Sequence, residues 1–125
     1  MTRVYVDLDA VSADPTGGPG IDAAAARSLG FLEEAGHGVT LVAIAAVGRP
    51  QLQGRSTIDV DEVPVRPADR AWYVTTDADR CRSRSALLRT ILIGFAPAGA
   101  IHRCNSIARD LQAAVLEILA AEAMP

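Results

Sequence analysis

Four short apolar runs, set apart by loops and helix-like stretches, constrain this chain more than any other feature. They are Val4-Tyr5-Val6-Asp7-Leu8-Asp9, residues 39–46, Ala71-Trp72-Tyr73-Val74-Thr75 and Thr90-Ile91-Leu92-Ile93-Gly94. All four are rich in β-branched or aromatic residues and nearly free of polar alternation. A strand with one wet face alternates, whereas a strand covered on both faces does not. Between the first two runs, Ile21, Ala25, Leu29 and Leu32 recur at helical spacing over residues 21–35, and Gly36 stands where a C-terminal cap is expected. Buried strands alternating with helices predict an α/β fold, a three-layer α/β/α open and mainly parallel sheet of about five strands with right-handed crossovers.

The remaining segments are read from the same signals. Pro15, Gly17, Gly18, Pro19 and Gly20 mark residues 12–20 as a loop. Gly30 inside the first helix costs up to ~1 kcal/mol relative to alanine, which hints at close packing there. Residues 48–70 are broken by Gly48, Pro50, Gly54, Pro64 and Pro67 and have room for a hairpin or flap, with a short edge strand or loop over residues 57–61. A short helix is expected at residues 83–88, a fifth strand at residues 100–104 and a final helix at residues 106–121, capped by Asn105 or Ser106.

Composition narrows the function. The chain has 125 residues, half of them apolar, which is one domain able to bury roughly two thirds of its unfolded surface. No apolar run reaches the roughly 18–20 residues of a membrane span, and Asp7 interrupts the start where a secretory leader needs apolar residues. A cytoplasmic domain without membrane association is the expectation. Twelve basic residues, all arginine, face fifteen acidic ones for a net charge of −3. The absence of lysine excludes Schiff-base and P-loop lysine chemistry, and the acidic balance weighs against nucleic acid as a partner. Cys81 and Cys104 are too few for a disulfide scaffold and lack zinc-ligand spacing, so they read as buried or half-buried reduced thiols.

The chemistry concentrates at Asp7 and Asp9, which close the first run. Ligands of open α/β sheets bind outside the carboxyl ends of the strands, and carboxylates there suit a hard cation such as Mg²⁺. Two short polar residues also simply end a strand, and spacing alone leaves both readings open. Asp77-Ala78-Asp79 repeats the pattern after the third run. It reads as a turn on a strand expected to lie away from the first.

The segment Val4-Tyr5-Val6-Asp7-Leu8-Asp9-Ala10-Val11 resembles the first motif of the haloacid-dehalogenase-like (HAD) superfamily, an apolar strand followed by D-x-D-x-T/V. Glu34-Ala35-Gly36-His37-Gly38-Val39-Thr40-Leu41-Val42 resembles the family's second helix–strand unit, and Thr90-Ile91-Leu92-Ile93-Gly94 resembles the strand carrying its fourth motif. The resemblance implies a single capless core over residues 1–125 and a Mg²⁺-dependent phosphatase acting on a phosphorylated small molecule or macromolecule. Asp7 would be the nucleophile that forms an aspartyl-phosphate, Asp9 the general acid/base, and both would bind Mg²⁺. Arg82 or Arg84 would take the phosphate-binding place of the family's third-motif base.

Two departures oppose full activity. Val42-Ala43-Ile44-Ala45 offers no hydroxyl at the second-motif position. Phe95-Ala96-Pro97-Ala98-Gly99 offers no carboxylate after Gly94, leaving Asn105 or Asp110 to reach back. The expectation is therefore a HAD-like phosphohydrolase that is catalytically impaired. Two alternatives stand beside it. One is a non-catalytic HAD-like binding or assembly module, with a homodimer through the apolar helix near the C-terminus. The other is a metal-dependent ribonuclease of the PIN or NYN type, which these chains resemble in length and in the opening strand.

Overall fold

A computed structural model describes residues 2–11, 21–43, 51–52, 54–64, 67, 69–81, 87–94 and 104–123. The strands are β1 (Arg3–Asp7), β2 (Gly38–Ala43), β3 (Gln51–Leu52), β4 (Arg55–Asp59), β5 (Ala71–Thr75), β6 (Leu88–Ile93) and β7 (Ser106–Ala108), and the helices are α1 (Ala23–Glu34) and α2 (Leu111–Ala123). Six strands pair in parallel in the order β4-β2-β1-β5-β6-β7, and β3 folds back antiparallel on β4 at one edge. The fold is an α/β open sheet, as its continuous apolar runs require. Counted along the chain, the parallel strands stand third-second-first-fourth-fifth-sixth. That is the doubly wound order, with its switch point between β1 and β5.

Side-chain alternation divides the core in two. Val4 and Val6 of β1, Leu41 of β2, Trp72 and Val74 of β5 and Ile91 of β6 point to one face and pack with Leu29 and Leu32 of α1 and Ala114 and Ile118 of α2. Both helices therefore lie on the same side of the sheet. The opposite face carries Val42, Tyr73 and Leu88, with Ile58 of β4 beside Val42, and is covered among the described residues by Val63 and, partly, by Val60. The odd-numbered side chain of Asp7 points to this second face.

Helix α1 is closed at both ends. The Asp22 carboxylate accepts hydrogen bonds from the Ala24 and Ala25 amides and caps α1. Gly36 closes that helix at φ 93°, where a side chain would be strained. A Cβ at Gly30 would meet nothing within 4 Å, so close packing is not the reason for that glycine.

The C-terminal third departs most from expectation. Ser106–Ala108 is strand β7 rather than the first turn of a helix, and Asp110, whose carboxylate accepts from the Ala113 amide, caps α2 in place of Asn105 or Ser106. Helical spacing within residues 107–118 reaches across a capping aspartate, which is why the sequence pattern extends the helix too far back. The expected fifth strand falls mostly on residues outside those described, but Cys104 itself lies in a bend ahead of β7. Leu88 opens β6, so a helix through that residue is excluded; residues 83–86 lie outside the described set.

The last turn of α2 is pinned to the sheet. Trp72 Nε1 donates to Glu122 Oε1 at 2.6 Å, and the Arg70 guanidinium lies 3.6 Å from the other oxygen. The Arg89 guanidinium sits 5.2 Å from the centre of the Trp72 ring. Hydrogen bonds to charged groups contribute about 1.5–3 kcal/mol, and the Glu122 side chain is nearly buried. Glu122→Ala should lower the unfolding free energy by about that amount, whereas Leu116→Ala, at a side chain 59% exposed, should change it little. Urea unfolding followed by the fluorescence of Trp72, the single tryptophan, measures both.

Candidate functional site at the carboxyl end of the central strand

β1 ends at Asp7, between Val42 of β2 and the last residues of β5. The chain then bends at once into a tight helical turn over Leu8–Ala10. The two acids of the D-x-D are separated by this bend: Asp7 is fully buried and Asp9 is exposed. Extended geometry would have kept them on one side.

The Asp7 carboxylate is answered by three donors. Tyr73 Oη donates to Oδ1 at 2.7 Å, while Thr75 Oγ1 and Arg80 Nη1 both donate to Oδ2 at 2.6 Å. Tyr73 and Thr75 alternate along β5, so both reach the Asp7 face of the sheet. Arg80 closes the turn Ala78–Arg80, which Asp77 caps by accepting from the Asp79 amide. Thr75 Oγ1 also accepts from the Asp77 amide at 3.1 Å, tying the strand end to the turn. Arg80 Nε lies 3.7 Å from Asp77 Oδ2.

Burial and charge compete at this cluster. Burial raises the Asp7 pKa above the ordinary carboxylate value, despite the opposing effects of Thr75, Tyr73 and Arg80. Arg80 is less enclosed. Burial works against its charge, but Asp7 and, after it, Tyr73 together raise the guanidinium pKa. Burial first, and then the adjacent Asp7 charge, push the Tyr73 hydroxyl well up, so Tyr73 acts as a donor at any ordinary pH. The difference between the two ion-pair partners follows their exposure, 1% for the Asp7 side chain against 17% for Arg80.

Two placements correct the sequence reading. The strand Ala71–Thr75 pairs directly with β1, so Asp77 and Asp79 follow the neighbouring strand rather than a distant one. Thr90–Ile93 belongs to β6, one strand further out than β5, and the acid-free residues 95–99 lie outside those described. Neither Asn105 nor Asp110 reaches back to Asp7. Asn105 is bonded to Thr90, and Asp110 caps α2. Arg82 and Arg84 lie outside the described residues, and the arginine found on Asp7 is Arg80. The missing hydroxyl on β2 has a counterpart on the other side of β1, in Thr75.

Cys81 directly follows Arg80 and is joined to Cys104 by a disulfide, with Cα atoms 4.8 Å apart. This corrects the expectation of reduced thiols. Twenty-three positions separate the two cysteines, and only the crossover around β6 brings the end of the β5 turn to the approach of β7. Both are buried with Leu92 and with Ala78 of the Arg80 turn.

The donor set does not fit Mg²⁺. Oδ2 of Asp7 already takes a cation and a hydroxyl, Oδ1 takes another hydroxyl, and the carboxylate has no exposed surface. Among the described residues, no group of three or more His, Cys, Asp or Glu side chains is arranged to hold a metal. Comparison with known proteins found no match, whether to a family model, a curated protein or a solved structure.

Removing one partner of a buried ion pair costs about 3 kcal/mol or more. Arg80→Gln should therefore destabilise the domain by about 3 kcal/mol at neutral pH, and by less once acid protonates Asp7. Thermal and urea unfolding at both pH values read this directly.

The pH dependence of Asp7 itself has a definite sign. Its folded-state pKa is raised, so its contribution to stability is complete below the unfolded value of about 3.9 and is lost as pH rises through the folded pKa. The stability of the wild type relative to Asp7→Asn should fall across that window and level off above it. A rise instead would show that Arg80 outweighs burial.

Proposed function

We propose that this chain is a HAD-like α/β domain whose central-strand aspartate is held out of catalysis, so that the domain serves as a non-catalytic binding or assembly module. One observation carries the reading: both oxygens of Asp7 are engaged, and its charge is balanced by the Arg80 guanidinium at 2.6 Å. A carboxylate nucleophile needs a lone pair directed at the reacting atom and a surface that substrate can reach. Asp7 has neither in this arrangement. An arginine fixed by Asp7 on one side and facing Asp77 on the other supplies the positive charge that a metal-dependent phosphatase takes from its ion.

The catalytic reading, a Mg²⁺-dependent phosphohydrolase acting through Asp7 with Asp9 as acid/base, keeps one supporting observation. Asp7 stands at the switch point of the sheet, where ligands of this architecture bind, with the exposed Asp9, Asp77 and Asp79 at neighbouring strand ends. The same adjacency serves the ribonuclease reading. Both require Arg80 to leave Asp7 before an ion or a substrate can approach.

The purified protein should hydrolyse no aryl phosphate and cleave no single-stranded RNA with millimolar Mg²⁺, and Mg²⁺ should leave its Tm unchanged. Turnover or thermal protection that Asp7→Asn abolishes would establish a metal-dependent enzyme instead.

A further inference from the structure

We infer that the Cys81–Cys104 disulfide is the clamp that keeps Arg80 seated on Asp7, and that a dithiol reductant opens this cluster to water. The inference rests on the reading of Asp7 as a closed, ion-paired group and names what controls the closure.

The turn that carries Arg80 is short. Within it, the Asp79 amide donates to Asp77 Oδ1, the Arg80 amide to the Asp77 carbonyl and the Cys81 amide to the Ala78 carbonyl. These bonds shape the turn without fastening it to the sheet. Two attachments flank it: Thr75 at one end, continuous with β5, and Cys81 at the other, bonded to Cys104 ahead of β7. Arg80 is one residue from the second attachment. Ala78, Cys81 and Cys104 pack on Leu92 of β6, so the bridge holds the turn down across the end of that strand. A turn anchored at both ends presents Arg80 to Asp7 in one position. Without the bridge the next strand anchor after Arg80 is β6, which begins at Leu88, and on that longer tether the turn samples many positions and the guanidinium exchanges Asp7 for water.

The chemistry is an ordinary two-electron exchange. A thiolate of the dithiol attacks one sulfur of the bridge and forms a mixed disulfide. The second thiol of the reductant displaces it, leaving Cys81 and Cys104 as thiols and the reductant as a cyclic disulfide. Both cysteines are buried, so attack proceeds through local opening, and serine variants report the unbridged state without that step.

Hydrogen exchange at the Arg80 Nε–H, read by ¹⁵N NMR, tests the clamp. Exchange should be at least about tenfold faster in the Cys81→Ser/Cys104→Ser variant and in dithiothreitol-reduced wild type than in the bridged protein, with the amides of β1 and β2 still protected. Equal Arg80 exchange in bridged and unbridged protein overturns the inference. So does loss of protection throughout β1 and β2, or failure of the variant to fold, because the bridge would then staple the whole domain rather than one turn. No ligand enters this measurement. Unchanged exchange would overturn the clamp and leave the functional reading above standing, whereas phosphatase activity confined to the reduced or unbridged protein would sink that reading and support the clamp.

Discussion

A carboxylate buried at the end of the central strand must be answered in charge, and much of the local structure of this domain follows from that requirement. Asp7 has no access to water, so its cost falls on its neighbours: two hydroxyls from β5 and a guanidinium from the turn beyond it. The pairing of β5 with β1 brings Tyr73 and Thr75 to the correct face. The Asp77 cap and the Cys81–Cys104 bridge deliver Arg80. Replacing buried ion pairs by apolar side chains is often neutral or stabilising, so stability alone is a poor reason to keep this one. It stands at the topological switch point, where ligands of open α/β sheets bind.

The same constraint sets this site apart from the one that the resemblance to HAD enzymes implies. An apolar strand ending in D-x-D at the centre of a parallel sheet is present in order and place. What surrounds the first aspartate differs. The hydroxyl reaches it from β5 rather than β2, and the positive charge is a tethered side chain rather than a free ion. A mobile cation can leave and let substrate oxygens take its place, whereas a guanidinium on a bridged turn stays with its carboxylate.

Much of the fold was legible in the sequence because period and run length carry it. Ala71–Thr75 is the strand its residues predict, and Gly36 closes the first helix where its position predicts. The neighbours of β1 were not legible. Strand order is set by which crossover returns beside which strand, and nothing in Ala71-Trp72-Tyr73-Val74-Thr75 records that it lies against Val4–Val6 rather than two strands away. Misplacing that strand misassigned the acids after it and hid Tyr73, Thr75 and Arg80. The one available signal was the alternation of Tyr73 and Thr75, two hydroxyl side chains two residues apart in an otherwise apolar run. The disulfide was hidden for a related reason, since its partners meet only once β6 has been inserted between them.

The position of β1 also sets a schedule for folding. Val6 pairs with Leu41 on one side and with Val74 on the other. As the chain emerges in order, β1 and β2 can associate as soon as α1 has turned back between them. The opposite edge of β1 then remains open until β5 arrives, and contacts between residues so far apart in sequence form slowly. During that interval the central strand, with its ionised aspartate, is an unprotected sheet edge, and its closure is a late event in making the domain.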